Sequence, residues 1–88
     1  EEKAQIRAGR FCIDTNQHVN NSKYVMMAEE YLPENFKVRE LRVEYKKAAV
    51  LGDMIYPKVK IKDHQAVAAL ENDQGKPYAV VQFMEDAV

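Results

Sequence analysis

The hydrophobic period of this chain changes along its length, and those changes limit the fold more than any other feature. Tyr24, Met27, Ala28, Tyr31 and Leu32 recur at three- and four-residue intervals, one helix face, behind the cap-type residues Asn20, Asn21 and Ser22 and ahead of Pro33. Val25 and Met26 widen that face, so burial on more than one side is expected. After Pro33 the period falls to two. Leu41, Val43 and Tyr45 alternate with Glu40, Arg42, Glu44 and Lys46, and beyond the turn at Leu51, Gly52 and Asp53, Ile55, Val59 and Ile61 alternate with Tyr56, Lys58, Lys60 and Lys62. Pro57 marks the second of these as an edge or irregular strand. Asp63 to Gln65 form a short connection, and Asn72 to Gly75 turn Ala66–Leu70 into Pro77–Phe83 as a hairpin. Upstream, Ala4 to Ile13 also alternates, with a switch of face at Gly9 that predicts a strand bent or bulged there. One helix among five strands predicts an α+β fold, an antiparallel sheet wrapped around one long central helix.

A chain of 88 residues buries a single core, which predicts one domain over residues 1–88. Thirteen Lys and Arg against fourteen Asp and Glu leave a net charge of −1, with no basic block to collect a nucleic-acid backbone or an anionic membrane. No apolar run is long enough to span a bilayer, so neither nucleic acid nor membrane is an expected partner. Cys12, the single cysteine, forms no internal disulfide, and with two distant histidines it gives no metal-ligand spacing. A reducing compartment is the default reading. The chain opens on Glu1 rather than an initiator Met, as a segment of a longer parent would.

The chemistry is concentrated between the first strand and the helix, where Asp14, Thr15, Asn16, Gln17, His18, Val19, Asn20 and Asn21 follow one another. In an extended run Asp14, Asn16 and His18 share a face. Carboxylate, amide and imidazole together supply a base or nucleophile, a donor for a carbonyl oxygen and a proton carrier near neutral pH. The run leads into a helix amino end, whose unpaired N–H groups stabilise charge developing on a carbonyl oxygen. Ester or thioester hydrolysis fits both features. The plainer reading makes Asp and Asn turn formers, Asn20 or Asn21 the helix cap, and Tyr24 and Met27 core residues, which could line a pocket for a fatty chain where the core meets a groove. Cys12 would stand about 20 Å from His18 at roughly 3.3 Å per extended residue, too far for a nucleophile–base pair. His64 falls in a connection among charged residues and is expected to be exposed and without a role.

Phe11 to Tyr24, FCIDTNQHVNNSKY, resembles the signature of the acyl-acyl-carrier-protein thioesterases, tandem hotdog enzymes that release fatty acids. In that family the run lies in the C-terminal hotdog unit, ahead of the central helix and a strand of the type seen here as Leu41 to Lys47, LRVEYKK. The resemblance is specific from about Arg10 to Asp53. It implies a hotdog fold and the C-terminal half of a tandem parent. It also implies hydrolysis of fatty acyl-acyl-carrier-protein, or of acyl-coenzyme A, in which Asn16 and His18 position and polarise the thioester carbonyl. Asp14 then orients His18 or acts on the substrate or a water, and Asn20, Asn21 and Tyr24 are candidates for substrate binding. Where plant members carry Glu then Cys, this chain has Ala48 and Ala49, so the carboxylate that could activate water there is missing. Either Asp14 takes over that work, as in simpler hotdog thioesterases, or the unit is a non-catalytic acyl-binding or structural half. No metal or organic cofactor is implied. Lys58, Lys60 and Lys62 offer a basic face to an acidic carrier, against a plainer reading as a solubilising strand edge. A homodimer, or pairing with a second hotdog unit edge to edge, and a bacterial cytoplasm complete the expectations.

Overall fold

The computed structural model describes residues 2–14 and 17–86, with Phe11 in its backbone only. Its strands are β1 (Ile6–Arg7), β2 (Val38–Tyr45), β3 (Met54–Lys62), β4 (Gln65–Glu71) and β5 (Pro77–Glu85), and its one α-helix among the described residues is α1 (Asn21–Glu29). The strands form one antiparallel sheet in the order β1-β3-β4-β5-β2. Register carries the alternation of the sequence straight across it. Leu41, Phe83, Ala66 and Ile61 line up in one row, Val43, Val81, Ala68 and Val59 in the next, and Tyr45, Ala79, Leu70 and Pro57 in a third. These rows make the inner face, and α1 lies on β4 and β5 through its buried Tyr24, Met27 and Ala28. Ala66 and Ala68 are the small buried residues of the β4 inner face, while Phe83, Leu70 and Val81 supply the bulk of the core beside them.

Four expectations change in detail. The helix is nine residues, about two and a half turns, rather than long. Beyond Glu29 the chain tightens into three-residue bonds, Tyr31 N–H to Ala28 O and Leu32 N–H to Glu29 O, so regular helix ends before Pro33 is reached. Burial of α1 is one-sided: Met26 is 52% exposed, because the sheet covers a single face. The first strand is two residues long, and Arg10–Cys12 is a 3-10 turn; Gly9 sits at φ −84° as the residue entering that turn, not as a bulge.

Pro57 behaves as its type requires. Its carbonyl accepts the N–H of Lys3 at 3.0 Å, so its nitrogen, on the same side of an extended strand, faces the N-terminal segment and removes no bond from the β4 ladder. Asp63 and His64 both take positive φ and join β3 to β4, and the Asn72 side chain gathers the N–H groups of Gln74 and Lys76 to turn β4 into β5. His64 is exposed yet has a partner, Glu85 Oε1 at 3.0 Å from its Nδ1. Among the described residues no helix is long and apolar enough to cross a membrane.

Candidate active site

The chemistry-bearing run is a hairpin, not an extended strand. Ile13 pairs antiparallel with Val19, the Asp14 N–H donates to His18 O at 2.9 Å, and the Asn20 N–H donates to Cys12 O at 2.8 Å. The Gln17 N–H closes the turn on Asp14 O at 3.2 Å with Gln17 at φ +67°. Asp14 and His18 therefore stand opposite each other on neighbouring strands, an arrangement that places Cβ atoms roughly 4.5–5.5 Å apart. Alternation sends them to one face and Ile13 and Val19 to the other, where Val19 is buried. Asp14 is half-buried and His18 exposed. Asn16 lies outside the described residues. Cys12 is buried, at the base of this hairpin beside Asn20.

The hairpin's second strand runs directly into α1. Asn20 is the N-cap: its Oδ1 accepts the Ser22 N–H at 3.0 Å and the Ser22 hydroxyl at 2.9 Å. Asn21, the first helical residue, is exposed. Tyr24, 1% exposed, turns its hydroxyl inward, where it accepts the N–H of Ala49 at 2.9 Å. Burial pushes its pKa above the usual tyrosine value, the Ala49 bond opposing and the Asp53 and Tyr45 charges adding to the rise. The Tyr45 ring packs 6.1 Å away at a 52° tilt.

Residues 48–53 complete the site from the other side. His18 forms an antiparallel bridge with Val50, and the Val19 N–H donates to Ala49 O at 2.8 Å. Ala48, where the resemblance set a missing carboxylate, is exposed next to this pairing, and Ala49 is fully buried. Asp53 Oδ2 accepts the Val50 N–H at 3.0 Å. The sequence marked this stretch only as a turn and as a departure from a pattern; the Gly-Asp pair was the signal that a carboxylate stood ready to bond backbone. A separate groove of about 240 Å³ flanks α1, its apolar lining Ile6, Cys12, Met26, Met27 and Tyr31. Among the described residues no group of three His, Cys, Asp or Glu is placed to hold a metal ion.

Residues 1–83 match the family described as the acyl-ACP thioesterase C-terminal domain. No curated protein matches the chain in sequence. Among solved structures, the chain is similar to an acyl-ACP thioesterase from Bacteroides thetaiotaomicron, with a TM-score of 0.88 at 15% identity, over 98% of this chain but 37% of that one. A hypothetical protein from Staphylococcus aureus in complex with CoA gives 0.82 at 18% identity over 96% of this chain and 73% of the other. The probable thioesterase YbaW from Escherichia coli gives 0.71 at 24%, over 93% and 77%. The fold is hotdog-like: a five-stranded antiparallel sheet with one short helix on its inner face.

Proposed function

Since the chain belongs to the acyl-ACP thioesterase C-terminal domain family, we propose that it hydrolyses fatty acyl thioesters, with acyl-acyl-carrier protein as its substrate. The observation that carries this reading is the hairpin, which opposes a carboxylate and an imidazole two residues before a capped helix amino end. Water adds to the thioester carbonyl carbon while Asp14 takes its proton. Charge on the carbonyl oxygen is met by His18, by the amide of Asn16 and by the amino end of α1. The carbon–sulfur bond then breaks, and the departing thiolate receives a proton through His18, leaving a free fatty acid and a thiol. Water activation falls to Asp14 because Ala48 offers no carboxylate. Asn20 serves by capping the helix directly after the hairpin and so fixing where its amino end starts, Asn21 by lying exposed at that end, and Tyr24 through Ala49 rather than by touching substrate.

The chain spans 37% of the Bacteroides thetaiotaomicron enzyme it matches, which supports the reading that it is the C-terminal half of a tandem hotdog protein. Pairing through β2 fits that reading. β2 is an edge strand whose inward Leu41 and Tyr45 stay 45% and 47% exposed, apolar surface that a second hotdog unit, or a second copy, would cover. On the outer face Lys58 is engaged by Glu71 at 2.9 Å, which leaves Lys60 and Lys62 to meet an acidic carrier.

Replacing His18 by Ala, and separately Asp14 by Asn, should each lower acyl-carrier-protein thioester hydrolysis by the roughly 10²–10⁴-fold of a lost acid–base group. Unchanged rates would overturn the assignment. A parallel assay on acyl-coenzyme A reads carrier preference from the ratio of kcat/KM. A second reading, a non-catalytic acyl-binding half, is favoured by Ala48 and by the apolar groove along α1. It predicts fatty-acid binding with no hydrolysis, and with no response to His18→Ala.

A further inference from the structure

We propose that Asp53 is a positioning residue that sets where His18 stands; the proposal rests on the catalytic reading of His18 above. The geometry forms an unbroken path. Asp53 Oδ2 accepts the Val50 N–H at 3.0 Å, and the Asp53 backbone N–H donates to Val50 O at 3.0 Å, so one residue closes the turn from both sides. Val50 stands opposite His18 in an antiparallel bridge, and the preceding residue, Ala49, accepts the Val19 N–H at 2.8 Å. The turn is itself anchored. Gly52, at φ +90°, donates to Ala8 O at 2.9 Å, and the Ala8 N–H donates to Asp53 O at 2.8 Å, where Ala8 is fully buried. The Asp53 carboxylate also faces the buried Tyr78, whose pKa burial and then that charge push upward.

This bracing is selective. The pairing with residues 49–50 falls on His18 and Val19, the second strand of the hairpin, and Asp14 sits on the first. Releasing Asp53 therefore loosens the strand that carries His18, while Asp14 is reached only through the hairpin's own bonds. A small misplacement of a reacting group far from the altered residue costs up to about 10²-fold in rate, and it falls on the chemical step rather than on substrate capture. What the path requires of residue 53 is an acceptor oxygen, not a negative charge.

The test compares Asp53→Ala, which removes the acceptor, with Asp53→Asn, which keeps one, in the full-length protein. Thioester hydrolysis and amide hydrogen exchange at Val19 and Val50 are both followed. Asp53→Ala should lower kcat roughly 10–100-fold with KM within about twofold, and speed exchange at both amides. Asp53→Asn should return kcat to within about threefold of the parent. Two results overturn the proposal: an unchanged kcat in Asp53→Ala alongside faster exchange at Val50, or an Asp53→Asn as impaired as Asp53→Ala. If Asp53→Ala does not fold, Asp53→Asn decides alone, with parental kcat and Val50 exchange in support and a fall to the level of His18→Ala against. A parent protein that hydrolyses no thioester defeats the thioesterase reading instead; exchange at Val19 then reports by itself whether Asp53 holds the His18 strand, faster exchange in Asp53→Ala supporting it and unchanged exchange refuting it.

Discussion

Tyr24→Phe isolates one buried hydrogen bond between the helix and the strand segment that pairs with His18. The ring is retained, so no cavity forms and packing against Tyr45 survives. What goes is the acceptor for the N–H of Ala49, a residue with no exposed surface, within 2.9 Å of a hydroxyl that is itself buried. An orphaned buried donor costs about 1–3 kcal/mol. For a domain of this size each kcal/mol moves Tm by about 4–8 °C, so a mid-range cost of about 2 kcal/mol lowers Tm by about 8–16 °C. Urea unfolding followed by circular dichroism reads the same quantity as a lower midpoint at constant slope. Tyr45→Phe is the control: its hydroxyl lies 3.5 Å from Asn21 O at an exposed site, and its loss should stay within about 0.5 kcal/mol. If Tyr24→Phe also stays within that margin, the helix is not tied to residues 48–50 in the way described.

The two glycines near the site separate strain from space. A Cβ added at either would meet no atom within 4 Å, yet Gly52 sits at φ +90° and Gly9 at φ −84°. Gly52→Ala should cost about 1–2 kcal/mol and Gly9→Ala should gain about 0.4–1 kcal/mol, and a reversed order in denaturant melts would refute the backbone reading. On the alkaline side, burial raises the pKa of Tyr24, Tyr31 and Tyr78 above 10.0. The folded chain then holds more protons than the unfolded one above that value, so stability should be level with respect to these groups below about pH 9 and fall as pH rises through about 10 towards the folded values. Tyr24→Phe should make that fall shallower; an equally steep fall contradicts the assignment. At the β2 edge, Leu41→Lys combined with Tyr45→Lys should convert any dimer to monomer by light scattering while leaving the circular dichroism spectrum intact, and a dimer that persists places the interface elsewhere.

Much of the sheet was legible in the sequence because β2 and β3 alternate and the turn residues Asn72 to Gly75 mark the β4–β5 hairpin. Leu41, Val43 and Tyr45 face inward with Phe83, Val81 and Ala79 as the period-two pattern requires. Asn20 announced the helix start through its cap chemistry. The helix end was not legible, since Tyr31 and Leu32 keep the apolar spacing while the backbone has already tightened. At the site, the association of Asp14 with His18 was read for the wrong geometric reason. Alternation along an extended run suggested a shared face, whereas a turn folds the run back and makes the two cross-strand neighbours. The turn-forming residues Asp14 and Gln17 held that information, but a chemistry-bearing residue and a turn-forming residue look alike in one sequence. The part played by Asp53 was invisible because it depends on which backbone a distant turn comes to lie beside.

The sheet order has a temporal consequence. β1 bonds only with β3 and β2 only with β5, while α1 rests on β4 and β5, so among the described elements of the first 45 residues no strand finds its partner within that half. A helix of nine residues is too short to persist alone in water. During synthesis, then, these first 45 residues gain their sheet partners only as β3 to β5 follow. The hairpin bearing Asp14 and His18 gains its bracing only once residues 49–53 have followed, and a product truncated before Phe83, which loses much of the strand joining β2 to β4, should be a substrate for proteases.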